Sequence, residues 1–344
     1  MSKKVIGIVH NIPLSSIGYH SQASDDVLVQ VEAVEYTLKK LGYTSRRIPF
    51  TKDVAMFLDV VKREHIDMAI NLCETVDEDP AFAGHPAALL ELVGIPFTGS
   101  SSIAIMITTD KVLTKRLLRG RGTRTPGYLI YDAYEYFNTS CLRFPVIVKP
   151  RYEDASIGID QESIFETHGA LKKNIKDFYN RFGFLIVEEY IEGREFNVSL
   201  FGYPNARVMP IAEIDFSQFP DSLYHVVGYR AKWDSRSFEY QHTPRKFSPT
   251  ISQWLQREIE RVASECFTFF MLRDYGRVDV RIDENGKIYV LEVNANPCVS
   301  PDAGFPAALE HAGMTYTDMV RSFVEFMDKR TSYGDQTFHI PRQG

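Results

Sequence analysis

Three oxygen-bearing side chains near the C-terminal end of the chain have the spacing of a metal site. Glu292 and Asn294 lie two residues apart in an apolar run at 289–294, and Asp279 precedes them across an Asp-Glu-Asn-Gly turn at 283–286. Alternate side chains of a strand share a face, and a hairpin sets its two strands side by side, so we expect the three oxygens to converge. Oxygen-only ligation suits a hard cation such as Mg²⁺, which nucleotide phosphates usually complete. The pattern therefore indicates a nucleotide-using enzyme.

A lysine ends a second apolar run, Phe-Pro-Val-Ile-Val-Lys-Pro at 144–150, which predicts a buried strand. Lysine is rarely buried without a partner, so Lys149 requires an anion nearby.

Apolar runs alternate with helical periodicity in the first third of the chain. Strands are predicted at 5–10, 43–49 and 66–72, with helices at 27–41, capped by Ser24-Asp25-Asp26, and at 54–61. Such alternation predicts a parallel sheet, whose ligands gather at the carboxyl ends of the strands. That places two loops, 10–20 and 71–85, in the candidate site. They carry His10, Ser15, Ser16, His20, Glu74 and His85, for which capping or turn roles remain an alternative.

Further elements are predicted along the rest of the chain. Helices are expected at 110–118, 167–181, 251–271 and 316–327, and strands at 185–189, 195–200 and 208–214, before the hairpin that carries the three oxygens. The polar segment 215–247 is too long for an ordinary connection and is interpreted as a lid. Its arginines Arg230, Arg236 and Arg245 are candidates for binding phosphates or a substrate carboxylate, with a solvent-facing role as the alternative. The tail after residue 330 is expected to be loosely held.

Composition bounds the class of protein. The 344 residues exceed the size at which one hydrophobic core stops growing, so two or three subdomains are expected. A formal charge of −6 without a basic run argues against a dedicated nucleic-acid binder. Four widely separated cysteines suggest neither a zinc site nor a disulfide framework. No apolar stretch approaches the ~18 residues of a membrane span, and the first residues lead directly into a strand, so a cytoplasmic location is expected.

The order of these parts resembles the ATP-grasp superfamily and, within it, the D-alanine:D-alanine ligase-like carboxylate-amine ligases. The resemblance extends from about residue 65 to residue 330. It implies an α+β ATP-grasp fold of three subdomains, at 1–105, 106–183 and 184–330, followed by a tail at 331–344. The matching pieces are Asp110-Lys111 with Lys115, the strand at 145–150, the loop ending Ser156-Ile157-Gly158, Val-Glu-Glu-Tyr-Ile-Glu-Gly-Arg-Glu-Phe at 187–196, Ala231-Lys232-Trp233, Gly-Arg-Val-Asp at 276–279, and Leu-Glu-Val-Asn-Ala-Asn-Pro at 291–297.

The resemblance implies a nucleotide-binding role for each matching residue. Lys111 and Lys149 would hold the ATP phosphates, and the flap at 153–158, with Ser156 and Gly158, would close over them. Glu188 would lie at the adenine edge and Glu195 would bind the ribose hydroxyls. Alternation in a strand lets only one of Glu188 and Glu189 face the nucleotide, and the choice of Glu188 rests on the resemblance. The base would be lined by backbone groups of Glu189, Tyr190 and Ile191.

The resemblance also implies the reaction. Asp279, Glu292 and Asn294 match Mg²⁺ ligands, with Mn²⁺ as an alternative ion. Lys232 on the lid would reach the transferred phosphoryl group, and Arg277 would stabilise the tetrahedral oxyanion. The implied activity is ATP-dependent amide or peptide bond formation between a small carboxylate and an amine, through an acyl phosphate, with release of ADP and phosphate. The lid would keep water from the intermediate.

Departures from the D-alanine:D-alanine ligase pattern fall on positions that face the substrates. The loop at 10–16 replaces a Gly-Gly loop with a glutamate that anchors the first amino acid. Ala155 stands for the first serine of the flap, Trp233 for a tyrosine of the lid, and Cys298 for a glycine. Ala303 aligns with the serine that would hold the acceptor carboxylate. We therefore expect substrates other than two molecules of D-alanine.

Several alternatives remain open from the sequence. The chain could be a D-alanine:D-alanine ligase proper, or an ATP-binding regulatory protein that kept the fold and lost turnover, although the retained Lys232 and Arg277 argue against the latter. A hydroxyl acceptor would give an ester product instead of an amide. Asp302, beside the lost serine, is a candidate contact for a cationic or hydroxylated acceptor, and the resemblance implies a homodimer.

Overall fold

The N-terminal part folds around a parallel sheet. The computed structural model describes residues 4–13, 21–133 and 137–333 of the chain. Strands β1 (Val5–Asn11), β2 (Thr44–Phe50) and β3 (Met68–Asn71) pair in the order β2-β1-β3, all parallel, and the helices between them are α1 (Ser21–Lys40) and α2 (Val54–Arg63). The predicted parallel sheet is therefore present.

The predicted start of the first helix is wrong. The helix α1 begins at Ser21, before the expected Ser24-Asp25-Asp26 cap. The Asp26 carboxylate accepts hydrogen bonds from Ser300 Oγ at 2.9 Å and from Gln30 one turn further along. The Asp26 carboxylate is thus hydrogen-bonded to a distant loop and to its own helix, and it does not cap the start of a helix.

Three helices connect the first sheet to the next one. They are α3 (His85–Leu92), α4 (Ser102–Thr109) and α5 (Lys111–Gly120), of which only the last was predicted. Asp110 caps α5, because its Oδ1 accepts from the backbone N–H groups of Val112 and Leu113.

The central sheet is antiparallel and has four strands. They are β4 (Tyr128–Tyr131), β5 (Val146–Pro150), β6 (Ile164–Phe165) and β7 (Leu185–Glu189), in the order β4-β7-β5-β6, with α6 (His168–Phe182) packed against them. Ile147 lies opposite Glu188, so Lys149 and Glu188 project from the same face. The division of the chain at 105 and 183 stays a prediction; β7, which follows the second boundary, pairs with strands that precede it.

The largest sheet has six strands and carries the predicted oxygen hairpin. Its strands are β8 (Arg194–Gly202), β9 (Arg207–Val208), β10 (Ala212–Ile214), β11 (Arg245–Phe247), β12 (Asp274–Ile282) and β13 (Ile288–Asn294), in the order β11-β10-β8-β12-β13 with β9 on β8. The single strand expected at 208–214 is wrong. It is interrupted around Pro210, which has no N–H to donate to a neighbouring strand.

The predicted lid contains secondary structure of its own. Helices α7 (Tyr229–Trp233) and α8 (Phe238–Gln241) lie within 215–247, and β11 forms its end. The chain continues through α9 (Gln253–Phe269), which packs on the large sheet, into the hairpin of β12 and β13.

The C-terminal helices return to the first sheet. They are α10 (Gly304–His311) and α11 (Tyr316–Tyr333), and Phe323 and Met327 of α11 join Ile6 and Ile8 of β1 in one buried cluster. The helix extends beyond the expected end at 327, and the remainder of the predicted tail lies outside the described residues. Among those residues, none of the helices combines the length and the apolar character that crossing a bilayer requires.

A buried ion pair ties the last helix to the large sheet. Arg330 of α11 pairs with Asp274 at the start of β12, and both side chains are almost fully buried. The other Asp274 oxygen accepts from the Gly99 backbone N–H at 2.9 Å. The pair therefore joins three segments that are far apart in sequence.

Replacing Arg330 by methionine should destabilise the protein by about 3–5 kcal/mol, because it leaves the Asp274 carboxylate buried without its main counter-charge. The measurement is the urea midpoint of unfolding. Arg321→Met on the same helix removes a half-exposed pair with Asp318 and should change stability by less than about 0.5 kcal/mol. Equal effects of the two substitutions would contradict this role of Arg330.

Candidate functional site

A cavity of about 660 Å³ lies where the central sheet, the large sheet and the carboxyl ends of the first sheet meet. It brings together every residue to which the resemblance gives a nucleotide, metal or reaction role, except Gly158. Gly158 instead shapes the flap: its φ is +72°, and a Cβ there would lie 2.7 Å from the Pro150 ring. The predicted residues that line the cavity are Lys111, Lys149, Ser156, Glu188, Glu189, Tyr190, Ile191, Glu195, Lys232, Arg277, Asp279, Glu292 and Asn294.

The hairpin places the three predicted metal ligands together. Asp279 of β12 lies directly opposite Glu292 of β13, and Arg277 lies opposite Asn294, with a bulge between Asp279 and Val280. All three oxygen-bearing side chains face the cavity. Two carboxylates and an amide oxygen are the donors that a hard divalent cation prefers, so the residues fit such an ion.

Arg277 is fixed by the same hairpin. Its Nε and Nη2 donate to the two Asp279 carboxylate oxygens at 2.8 and 2.9 Å, a bidentate pair. Asn197 of β8 donates a further hydrogen bond to Asp279 at 2.9 Å. Each carboxylate oxygen can accept more than one bond, so a cation would share Asp279 with Arg277.

Lys111 is surrounded by acidic and carbonyl oxygens of the flap. Its Nζ donates to the Glu153 carbonyl and to Asp154 Oδ1 at 3.2 Å, and Glu292 Oε1 lies 4.0 Å away. Burial raises the pKa of the Asp154 carboxyl, whereas Glu292, although also buried, is held below its usual pKa chiefly by Lys111. Sequence reasoning missed Asp154, whose only signal was an acidic residue within a flap expected to cover phosphates.

The anion that Lys149 requires is Glu188. Its Oε2 lies 3.1 Å from Lys149 Nζ and its Oε1 lies 3.2 Å from Nζ of the fully buried Lys115. Burial opposes ionisation, but the two lysines outweigh it and hold the pKa of Glu188 below its usual value. The Lys115 contact has no hydrogen-bond geometry, so Oε1 has no hydrogen-bond partner among the described residues. A buried acceptor of this kind can receive a donor from a bound molecule.

Glu189 points away from Glu188, as strand alternation requires. Its carboxylate accepts from Arg143 Nη2 at 2.7 Å, and its backbone N–H donates to the Gly127 carbonyl. The Tyr190 N–H donates to the Pro145 carbonyl, and the Ile191 carbonyl accepts from Arg281. These backbone groups line the cavity, but several are already bonded within the protein.

Glu195 is paired with Arg281, a buried arginine that the sequence did not single out. Arg281 Nη2 contacts both the Glu195 carboxylate and the His225 carbonyl of the lid. Arg281 thus connects Glu195 to the lid.

The carboxyl end of the first sheet contributes acidic groups. Glu74 and Asp26 both line the cavity, and both accept hydrogen bonds from Gln30. The Asp26 oxygen Oδ2 lies 3.0 Å from the Cys298 Sγ. Burial and these carboxylates raise the pKa of the Cys298 thiol, which disfavours the thiolate and any role as a nucleophile.

The other candidates of that region are less involved. His10 is buried and contacts the Asn11 carbonyl, and His85 is exposed and contacts the Phe82 carbonyl. Neither is among the cavity-lining residues in the described part of the chain. The predicted candidates Ser15, Ser16 and His20 lie outside the described residues.

The lid is docked on the flap. Trp233 Nε1 donates to the Ala155 carbonyl at 3.0 Å, Ser156 Oγ donates to the Val227 carbonyl at 2.7 Å, and the Tyr229 N–H donates to the Ile159 carbonyl. Two of the positions that depart from the ligase pattern, Ala155 and Trp233, therefore touch each other. Docking places Lys232 against Arg277, and burial together with that neighbour lowers the pKa of Lys232.

The three arginines of the lid differ in placement. Arg230 lies 3.5 Å from Glu239, and the Arg236 side chain is 94% exposed. Arg245 alone of the three lines the cavity.

Comparisons with known proteins agree with this geometry. The family described as D-ala D-ala ligase C-terminus matches residues 133–325. A D-alanine–D-alanine ligase of Carboxydothermus hydrogenoformans is 33% identical over 304 residues, which cover 85% of this chain and 90% of that protein. The protein y4sG of Sinorhizobium fredii is 31% identical over 264 residues, or 76% of this chain and 75% of that protein.

A solved structure is similar over nearly the whole chain. The D-alanine–D-alanine ligase of Bacillus anthracis complexed with ATP superposes with a TM-score of 0.74 at 21% identity, covering 96% of this chain and 99% of that one. The likeness confirms the α+β ATP-grasp architecture expected from the sequence.

Glu74 should make stability depend on pH. Burial, reinforced by Asp26, raises its pKa from 4.5 to about 7. The folded state therefore favours the protonated carboxyl, and the wild-type protein should lose stability as the pH rises from about 4.5 to about 7, by roughly 1–3 kcal/mol. Glu74→Gln should remove the part of that fall that Glu74 contributes, while the raised pKa values of Glu153 and Asp154 act in the same direction in both proteins. The test is urea unfolding of both proteins across this range, and parallel pH profiles would contradict the shift.

Proposed function

The chain belongs to the D-alanine–D-alanine ligase family of ATP-grasp enzymes, which form carbon–nitrogen bonds, and from that membership we propose that it joins a small carboxylate to an amine other than in the pairing of two D-alanines. The observation that carries the proposal is that one cavity is lined by two lysines, three oxygen-bearing side chains and an arginine together with positions that depart from the ligase pattern, namely Lys111, Lys149, Asp279, Glu292, Asn294, Arg277, Ala155, Trp233, Cys298 and Ala303.

The nucleotide would occupy the side of the cavity between the central and large sheets. Glu188 Oε1, which accepts no hydrogen bond among the described residues although Lys115 lies beside it, suits the amino group of adenine. Glu195 lies where a ribose would follow. Lys111 and Lys149 would hold the phosphates. For this, Lys111 must exchange its bond to Asp154 for a phosphate oxygen, so ATP binding would shift the flap.

A divalent cation would be held by Asp279, Glu292 and Asn294. When bound, such an ion supplies positive charge to the phosphate oxygens and thereby favours phosphoryl transfer. The hydrogen bonds that Arg277 and Asn197 donate to Asp279 fix its carboxylate before any ion arrives, which lowers the free-energy cost of ordering the site.

The reaction follows from the weakness of a carboxylate as an electrophile. Transfer of the ATP γ-phosphoryl group gives an acyl phosphate, which the amine attacks to form the amide and release phosphate. Lys232 would neutralise the transferred group, and Arg277 would donate to the oxyanion, where loss of one placed donor costs about 2.7–4 kcal/mol of barrier. The docked lid would keep water away from the acyl phosphate.

Altered substrate positions favour substrates other than two molecules of D-alanine. Ala303 cannot hydrogen-bond a carboxylate as a serine does, and the contact between lid and flap is made by Trp233 and the Ala155 backbone. A site that lacks the polar anchors for one substrate binds it weakly.

Lys232→Met should lower phosphate release by about a hundredfold or more, because the transferred phosphoryl group loses its cation. The measurement is phosphate release with ATP, Mg²⁺ and a panel of amino acids and small carboxylates. Lys246→Met is the matched control, since Lys246 ends the same lid but is 56% exposed and pairs with Asp215. It should stay within about twofold of wild type.

The same assay decides between the alternatives. Rapid turnover with D-alanine alone would identify a D-alanine–D-alanine ligase proper, and ATP binding without release across the panel would indicate a regulatory protein. The mass of the product separates an amide from an ester.

Glu292→Gln should raise the Mg²⁺ concentration needed for half-maximal phosphate release at least about tenfold, because a carboxylate ligand becomes a neutral amide. Glu284→Gln is the control, since Glu284 is exposed in the turn of the same hairpin. If both variants show the wild-type dependence on Mg²⁺, Glu292 is not a metal ligand.

A further inference from the structure

Arg245 is a cation at the substrate side of the cavity that has no acidic partner within 4.0 Å among the described residues. Its Nη1 donates to the Asp302 carbonyl at 3.1 Å, a neutral acceptor. Desolvation within the cavity and the nearby Arg277 lower its pKa against the opposing charge of Asp302, while the residue as a whole is still exposed to solvent. A guanidinium that lines a cavity without a counter-ion is well suited to an incoming anion.

The position of Arg245 matches a lost substrate contact. Its side chain packs against Gly304, where an added Cβ would lie 3.6 Å from the arginine Cδ and Nε. Gly304 follows Ala303, the residue that stands in place of the serine expected to hold the acceptor carboxylate. Arg245 therefore brings positive charge to the neighbourhood from which a neutral hydrogen-bond donor is missing.

The Asp26 and Glu74 side chains also line this cavity, and Asp26 contacts the loop at 298–304 through Cys298 and Ser300. Burial, Glu74 and Asp26 all raise the pKa of the Cys298 thiol. Cys298 also contributes to the electrostatic surroundings of Arg245. Arg245 contacts the other end of that loop, at the Asp302 carbonyl and Gly304. A molecule between Arg245 and the two carboxylates experiences opposite charges at its two ends.

We propose that Arg245 binds the carboxylate of the amine-supplying substrate and that the ammonium group of this substrate faces Glu74 and Asp26, one of which takes the proton that the amine must lose before it attacks the acyl phosphate. The substrate class is a zwitterionic, amino-acid-like molecule. The inference rests on the proposed function, since the compartment adjoins the site assigned to ATP. It assigns the specificity for a free carboxylate to Arg245, a lid residue that the other two lid arginines cannot replace.

The test measures binding by isothermal titration in the presence of Mg²⁺ and a nonhydrolysable ATP analogue. Probes are the D- and L-forms of the standard amino acids and, for the tightest binder, its carboxamide. Wild type should bind the free acid at least about tenfold more tightly than the carboxamide, since the amide cannot form a charged pair. Arg245→Gln should weaken binding of the acid by roughly tenfold to a hundredfold and leave the carboxamide unchanged.

Two further variants complete the design. Arg236→Gln, an exposed arginine of the same lid, should keep the wild-type preference for the acid. Arg245→Lys keeps the charge and should retain part of that preference, which also serves if Arg245→Gln does not fold.

The outcomes separate this inference from the proposed function. Equal weakening of acid and carboxamide by Arg245→Gln would reduce Arg245 to a structural role and overturn the inference. Binding of the ATP analogue without binding of any amino acid would overturn the inference and leave ATP use standing. Failure of the ATP analogue to bind would overturn the proposed function itself.

Discussion

The cavity is organised by the need to neutralise charges that are removed from water. Isolated buried ions are costly, so each must have a counter-charge or a bound ligand. The protein meets this need with internal pairs: Glu188 lies between Lys115 and Lys149, Arg277 is bonded to Asp279, and the remaining pairs are Lys111 with Asp154 and Arg281 with Glu195. The charges that are suited to a nucleotide and a cation are therefore held in place by one another before either arrives.

The same pairs connect ligand binding to the flap and the lid. Asp154 belongs to the flap and contacts Lys111, so a phosphate that takes the lysine must release that carboxylate. The flap in turn bonds the lid through Ala155 and Ser156. Direct hydrogen bonds thus connect the phosphate position to the lid. The contacts would differ between the states with and without a bound phosphate, and that difference is a physical cause for closure.

Sequence reasoning succeeded where local periodicity determines the geometry. Strand alternation placed Glu292 and Asn294 on one face, and the rarity of unpaired buried lysine predicted the anion that Lys149 meets. The misses have a common cause, which is contact between segments distant in sequence. Asp26 bonds Ser300 across 274 residues, so nothing near residue 26 identified it as part of the cavity. The Asp302 carbonyl fixes Arg245 in the same way, and only the fold separates this arginine from the other two in the lid.

The topology of the lid explains how it can open while the substrate contacts stay in place. Ile214, which immediately precedes the lid, and Arg245, in the strand at the end of the lid, are paired partners in adjacent antiparallel strands. The segment between them is consequently a long connection between two adjacent strands at one edge of the sheet, and its movement does not require any strand pairing to break. Lys232 and Trp233 lie within this connection and would move with it, whereas Arg245 lies in a strand of the sheet that also carries Arg277. In the proposed mechanism, Arg245 recognises the substrate carboxylate before closure, and Lys232 reaches the transferred phosphoryl group only when the lid docks.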